Sequence, residues 1–143
     1  MEKNSIINID SFQKLGEEED NLSITARGRY YKKDAVHHLL YDEVDAENDV
    51  AIATYLKVDG DVIYLRRRGE NSYEMTFDMA KKTVTAMNSP YGTVKLEIIT
   101  DTVECSEYPS KLELVLDYSL YTLGEKISDN KMEIEIIVDK DNE

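Results

Sequence analysis

The sequence predicts an all-β protein that forms a closed, antiparallel, up-and-down barrel of about eight to ten strands. Alternation is the first observation. In one stretch every second residue is apolar, and these residues share a face: Leu112, Leu114, Leu116, Tyr118 and Leu120. A period of two is typical of strands with one buried face and one solvated face. Extent is the second observation, because the pattern runs from residue 22 to residue 138. Such a meander hides its apolar face by closing into a barrel or, as the runner-up, by folding into a two-sheet sandwich.

Turn residues divide this pattern into individual strands. The predicted strands are 4–12, 22–31, 37–44, 50–58, 62–68, 72–77, 83–87, 93–104, 112–122 and 131–138. Asp59-Gly60-Asp61 lies between two alternating runs, and aspartate and glycine tolerate the positive φ that a two-residue turn needs, so a tight hairpin is predicted there. Further turns are predicted at 16–21 (a solvated acidic loop), 32–34, 78–82, 89–92, 108–110, and at Gly124 with a polar turn at 128–130.

Alternation also predicts which face is buried. Gly28 lies inside a strand, where a glycine marks a bulge, a bend or a close backbone approach, and bending is the role expected in a small barrel. If the register is regular through Gly28, the core face comprises Leu22, Ile24, Ala26, Val50, Ile52, Leu56, Val94, Leu96, Ile98, Leu112, Leu114, Leu116, Leu120, Met132, Ile134 and Ile136.

Length and cysteine content are typical of one cytoplasmic domain. The chain has 143 residues, which predicts a single β-barrel domain over 1–143, with an N-terminal strand and acidic loop at 1–21 and a frayed tail at 139–143. Cys105 is the single cysteine, so no internal disulfide is possible, as in proteins of a reducing compartment. The apolar stretch at 6–9 is too short for a signal peptide, and no apolar run reaches membrane-spanning length, so a soluble cytoplasmic protein is expected.

The net charge excludes two classes of partner. Thirty acidic residues against 17 basic ones give a formal charge of −13. Such a chain is repelled by nucleic-acid backbones and by anionic membrane surfaces, so neither is expected as a partner. The charge also keeps a barrel with a wet outer face soluble.

The order of several short landmarks resembles a known family. The landmarks are Gly28-Arg29-Tyr30-Tyr31, Tyr41-Asp42-Glu43, a Val-rich strand with its Asp-Gly hairpin, Arg68-Gly69, Met75-Thr76-Phe77, Pro90-Tyr91-Gly92 and Leu116-Asp117-Tyr118. Over residues 22–138 the chain is similar to the YwiB-like family of uncharacterised bacterial proteins. That resemblance implies a calycin-like (lipocalin-like) barrel. The resemblance implies no activity, cofactor or catalytic residue. By analogy with other calycins it suggests a small apolar ligand.

The basic cluster Arg66-Arg67-Arg68 is the first candidate binding site. Arg66 and Arg68 share a face with Val62 and Tyr64, whereas Arg67 lies on the opposite face. If the Val62 face points inward, Arg66 or Arg68 would hold a carboxylate or phosphate, because a guanidinium binds an anion at two points, and Tyr64 would supply a hydroxyl. If it points outward, these arginines pair with neighbouring acidic residues.

A second candidate pair is Arg29 and Tyr31. Fatty-acid-binding barrels hold the ligand's head group with an Arg-x-Tyr pair, and Arg29-Tyr30-Tyr31 has that spacing. The simpler assignment places both side chains on the outer face.

Other reactive residues give no catalytic or metal-binding pattern. His37 and His38 point to opposite faces of a strand, so they cannot chelate one metal together, and no cofactor is expected. Nearby carboxylates are expected to raise the pKa of Cys105, which makes it a poor nucleophile. The acidic residues at 42–49 do not have the spacing of an EF-hand loop.

Three functions are open from the sequence. The first is a binding module that holds a small amphipathic or anionic ligand through Arg66 or Arg68. The second is an interaction or structural module, such as a homodimer through a strand edge or a tyrosine-rich face, since ten tyrosines accompany only two phenylalanines and no tryptophan. The third is an enzyme whose catalytic residues are scattered over loops and leave no signature.

Overall fold

A computed structural model describes residues 2–45, 50–68, 72–89 and 92–139, with the side chains at 43–45, 50–52 and 88–89 outside the description. Ten strands make up this part of the chain. They are β1 (Lys3–Leu15), β2 (Glu18–Lys33), β3 (Val36–Asp45), β4 (Val50–Asp59), β5 (Val62–Arg68), β6 (Tyr73–Asp78), β7 (Thr83–Ser89), β8 (Gly92–Tyr108), β9 (Lys111–Thr122) and β10 (Glu125–Val138). Within these ranges no helix is long and apolar enough to span a lipid bilayer.

The ten strands form one antiparallel sheet that curls into a nearly closed barrel, which confirms the predicted fold class. The strand order is β6-β5-β4-β3-β2-β1-β10-β9-β8-β7. Neighbours along the chain are neighbours in the sheet, as in an up-and-down meander, with one exception. The first and last strands pair with each other, whereas β6 and β7, which follow one another in the chain, are the two edges of the sheet.

Several turns lie where the sequence predicts them, and others are shifted. Asp59 pairs with Val62 around Gly60, whose φ is 60°, so the predicted hairpin is confirmed. The acidic loop predicted at 16–21 is wrong, because β2 already begins at Glu18. The polar turn predicted at 128–130 is also wrong. These residues belong to β10, and the turn is formed by Leu123 and Gly124, whose positive φ values of 50° and 79° are those of a tight hairpin turn.

The core is a single cluster of inward-facing side chains. The fully buried members are Ile7, Leu39, Ile63, Phe77, Ile98, Leu112, Leu114, Leu116 and Ile136. Most of the predicted core is confirmed, but Leu22 is 59% exposed and Val94 is 41% exposed, because both lie where a long strand extends past the packed part of the barrel. The side chains of Val50 and Ile52 fall outside the described residues.

Gly28 is needed for a close approach between backbones. The register of β1 and β2 is regular through Gly28, so the side chains on either side of it keep the alternation of inward and outward faces. A Cβ at this position would lie 2.4 Å from the carbonyl oxygen of Leu40 and 2.8 Å from both Ile7 Cδ1 and Tyr41 Cβ. These contacts leave no space for a side chain. β3 pairs only with residues 28–33 of β2, so the two strands diverge on the N-terminal side of Gly28 in β2.

Candidate functional site

The junction of β6 and β7 is the one place in the described barrel where neighbouring strands lack a backbone ladder. Two side chains of β7 hold the strands together instead. The hydroxyl of Thr83 donates to the carbonyl of Thr76 at 2.5 Å, and the hydroxyl of Thr85 donates to the carbonyl of Glu74. The barrel therefore has a seam along these two edges.

A cleft of about 750 Å³ follows this seam. Its lining comes from the end of β5, from β6 with the residue before it, and from β7: Arg66, Arg67, Arg68, Ser72, Tyr73, Glu74, Thr76, Val84, Thr85 and Ala86. Binding sites for small molecules have volumes of about 300–1,000 Å³. The cleft therefore has the size of a ligand site. One of its walls carries three of the chain's five arginines.

Burial on β5 shows which arginine faces inward. Ile63 is fully buried and Leu65 is 4% exposed, so the face they share with Arg67 points into the barrel. The Val62 face points outward, with Arg66 half-buried and Arg68 exposed at the rim of the cleft. The sequence hypothesis of an inward Val62 face is not the arrangement found. All three arginines nevertheless line the same cleft, because it cuts through the barrel wall.

Arg67 forms the inner end of the cleft. Its Nη1 donates a hydrogen bond to the Tyr73 hydroxyl at 2.7 Å, and its guanidinium carbon lies 5.6 Å from the centre of the Tyr73 ring. Tyr118 lies beside them, with its ring centre 4.7 Å from that of Phe77. Burial raises the pKa of Tyr118 to about 12, with Tyr73 adding to the shift and Arg67 opposing it. Tyr118 therefore stays neutral here, and Arg67 supplies the positive charge.

Arg66 forms the outer end of the cleft. Its guanidinium carbon lies 5.3 Å from the centre of the Tyr55 ring, and its charge opposes the rise in the pKa of the neighbouring Tyr64. Desolvation and a hydrogen bond to Glu74 raise the pKa of Tyr64, so its hydroxyl stays protonated. The predicted pair Tyr64 and Arg66 is therefore brought together, on the outside of the barrel. Among the described residues, Glu74 is the one acidic residue in the lining.

An aromatic row crosses the outer face of β2 to β5 beside Arg66. It is formed by Tyr31, His38, Tyr55 and Tyr64. Tyr31 stacks on His38 at 4.4 Å between ring centres, and His38 Nδ1 shares a 2.6 Å hydrogen bond with the Tyr55 hydroxyl. Tyr55 meets Tyr64 edge to face at 6.1 Å. Ring contacts and one hydrogen bond therefore link β2 to β5 along this row.

The other predicted pair, Arg29 and Tyr31, has separate neighbours. The side chain of Arg29 is 70% exposed and forms an ion pair with Glu2 at 3.4 Å. Tyr31 belongs to the aromatic row. Neither residue lines the seam cleft.

A second polar cluster covers the opposite end of the barrel. His37 faces inward and is 8% exposed, and its Nδ1 lies 2.7 Å from the Tyr30 hydroxyl. Its Nε2 lies 3.8 Å from Glu107 of β8, which also accepts a 3.0 Å hydrogen bond from Lys32. Burial lowers the pKa of His37, and Glu107 opposes that shift. These contacts tie β2 and β3 to β8 across the barrel.

The remaining reactive residues show no metal site. His37 and His38 face opposite sides of β3, as predicted. The pKa of Cys105 is raised, first by burial and then by Glu107, which agrees with the predicted direction. No group of three metal-ligating side chains occurs at the positions described here. Of the acidic residues at 42–49, all side chains after Asp42 lie outside those positions.

Sequence reasoning missed two members of the site, Arg67 and Tyr73. The signal for Arg67 was present, because Ile63 and Leu65 make its face of β5 more apolar than the face of Val62 and Tyr64. No comparable signal identified Tyr73, since its position depends on the seam between β6 and β7.

Comparisons with known proteins support the predicted family. Residues 7–134 match the family model described as "Domain of unknown function (DUF1934)". The crystal structure of the ywiB protein from Bacillus subtilis superposes with a TM-score of 0.84 at 16% sequence identity, covering 97% of this chain and 94% of that one. At that identity the likeness shows the fold alone. A search of curated proteins gives no significant match.

Proposed function

We propose that this chain, which belongs to the DUF1934 family of YwiB-like proteins, is a binding module that holds a small amphipathic anion in the seam cleft. The observation that carries the proposal is the convergence of Arg66, Arg67 and Arg68 on one cleft of about 750 Å³. The chain as a whole is strongly acidic, with a formal net charge of −13. This concentration of positive charge favours the approach of anions to the seam.

The two walls of the cleft differ in chemistry. The wall from β5 and β6 carries the three arginines, Tyr73 and the half-buried Thr76. The wall from β7 carries Val84, which is 52% exposed, and Ala86. A carboxylate or phosphate would contact the first wall and an apolar body the second. This contrast favours an amphipathic anion over a purely polar one.

The rings beside the arginines prepare them for an anion. Arg66 lies over Tyr55, and Arg67 contacts Tyr73. An aromatic face restricts a guanidinium and excludes water from one side of it, while its N–H edge can still reach a ligand. The arginines therefore lose less rotamer freedom when an anion binds.

The proposed site is the cleft rather than the barrel interior, because side chains fill the interior. The barrel's inward face is occupied by the buried core, including Phe77 and Leu114. An internal ligand would have to displace these side chains, whereas the seam cleft already has the required volume. Arg67 and Tyr73, which are hydrogen-bonded to each other, line the cleft.

To test this, the full chain is titrated with each of three compounds, and its amide signals are monitored by two-dimensional NMR. Octanoate is the probe, 1-octanol is its neutral counterpart, and inorganic pyrophosphate is an anion without an apolar body. We expect octanoate to shift the amides of β5, β6 and β7 in a saturable way, with weaker shifts from the other two compounds. Shifts from octanol equal to those from octanoate would contradict the anionic part of the proposal.

Arginine variants locate the site. Arg66→Ala with Arg68→Ala should weaken octanoate binding by about tenfold or more, the magnitude of one charge-assisted hydrogen bond. Arg67→Lys keeps the charge but removes the two-point contact, so it should weaken binding without unfolding the chain. Arg29→Ala is the matched control and should bind as the wild type does. If Arg29→Ala abolishes binding while the cleft variants do not, the pair Arg29 and Tyr31 is the site and the proposal is wrong.

A further inference from the structure

In the described part of the chain, a long stretch of β2 has a free edge. Residues 18–27 pair with β1 on one side, from Leu15 opposite Glu18 to Ile6 opposite Arg27. On the other side β3 joins β2 only at residues 28–33. Ten residues of β2 therefore have no strand on that side within the described part of the chain. Such an edge offers backbone N–H and C=O groups to another strand.

The edge carries exposed apolar surface on the face that continues the barrel interior. Leu22 and Ile24 lie on this face, since they pair with Ser11 and the buried Ile9 of β1. Ile24 packs against the core, but Leu22 is 59% exposed. A large apolar side chain at an open edge is a potential contact for a further strand.

The opposite face of the same edge carries charges of both signs. Glu19 and Arg27 lie on this outer face at the two ends of the free stretch, and Ser23 lies midway between them. The edge is therefore acidic at one end and basic at the other. Two copies in antiparallel orientation would bring the acidic end of each against the basic end of the other.

We propose that a second copy of this chain pairs antiparallel with residues 18–27 of β2, around a two-fold axis at Ser23. In this register Leu22 lies opposite Ile24 of the partner subunit, and Glu19 lies opposite Arg27 of the partner subunit. Each of these contacts occurs twice. The two barrels then share one continuous sheet across the interface.

The register follows from the side chains. Residues opposite each other in an antiparallel ladder share a face, so a shift by one residue would set inward side chains against outward ones. A shift by two residues in one direction sets Asp20 against Ile24, and in the other direction it pairs Arg27 with Asn21. The axis at Ser23 alone joins the apolar pair and the charge pair together.

A charge exchange tests the pairing in solution. Sedimentation velocity of the wild type over a concentration series should show a dimer. Glu19→Arg sets two like charges opposite each other, as does Arg27→Glu, so each single variant should be largely monomeric. The double variant restores opposite charges and should dimerise again. Glu19 and Arg27 pair with different residues of β1, Lys14 and Ile6, so a contact within one chain cannot produce this rescue.

A disulfide tests the axis independently of the charges. In a Cys105→Ser background, Ser23→Cys should form a covalent dimer under mild oxidation, because a residue on the axis faces its own copy within disulfide reach. Thr25→Cys in the same background is the control and should crosslink much less. A wild type that stays monomeric at all concentrations would overturn the proposal, and so would a dimer that neither charge reversal weakens.

Discussion

The barrel has two junctions that could have closed it, and they differ in strength. At the first, β1 and β10 form a ladder of ten residue pairs from Ser5 and Val138 to Lys14 and Asp129, although these strands lie at opposite ends of the sequence. At the second, β6 and β7 follow one another in the chain, yet two threonine hydroxyls replace the ladder. The first junction is structural, and the second leaves a cleft.

Side-chain packing follows the same division. Ile7 and Ile136 face each other across the first junction and are both fully buried. At the second junction, Val84 is 52% exposed and Ala86 is also exposed. The core therefore packs across the first junction, whereas the second exposes side chains to the cleft. Three predictions test this division and a fourth tests the polar cluster at the other end of the barrel, in order of decreasing effect on stability.

Ile136→Ala removes a buried side chain at the first junction. The expected loss is about 2–5 kcal/mol in the free energy of unfolding, since the variant leaves a cavity in a packed core. Urea unfolding measures it. Val84→Ala at the second junction is the control and should change stability by about 0.5 kcal/mol or less. Equal losses in the two variants would remove the distinction between the junctions.

Gly28→Ala tests the close approach beside the first junction. The new Cβ would meet the carbonyl oxygen of Leu40 at 2.4 Å, and backbone cannot move aside as a flexible side chain can. We expect a loss of about 1–3 kcal/mol, the usual cost of overpacking. Thermal unfolding measures it. An unchanged unfolding temperature would show that β2 and β3 separate easily at this point.

Thr83→Val combined with Thr85→Val removes both hydroxyl bonds at the second junction and keeps the shape of the side chains. The expected loss is about 1–3 kcal/mol for the two bonds together, and amide exchange in β6 should become faster. The double Thr→Ser variant keeps the hydroxyls and is the matched control. If the valine variant were as stable as the wild type, these bonds would not hold the seam.

The pH dependence of stability tests the cluster at the far end of the barrel. Burial lowers the pKa of His37 in the folded state below the ordinary value of 6.5, so the unfolded chain takes up a proton first as the pH falls. The contribution of neutral His37 to the free energy of unfolding is fully present above pH 6.5. It is lost as the pH falls through 6.5 towards the pKa of the folded state. His37→Gln should flatten the stability profile between neutral pH and pH 5 more than His38→Gln does, because His38 is less buried. Equal profiles for the two variants would contradict this assignment.

Much of the fold could be predicted from the sequence because alternation is a local signal. The Asp59–Gly60 hairpin and the buried leucines of β9 follow from neighbouring residues alone. The seam does not, because strands adjacent in sequence usually pair and nothing in residues 73–89 indicates otherwise. Arg66 and Arg68 were recognised as a cluster, but the position of Tyr73 depends on how the barrel closes. The exposure of Leu22 similarly depends on where β3 leaves β2.

Amide hydrogen exchange, followed residue by residue with and without octanoate, tests the central claim most directly. In the free chain we expect faster exchange in β6 and β7 than in β1 and β10. With octanoate, exchange should slow in β5 to β7 of the wild type and stay unchanged in the Arg66→Ala, Arg68→Ala double variant. Protection that appeared around Arg29 and Tyr31 instead, or no protection anywhere at saturating octanoate, would contradict a binding site at the seam.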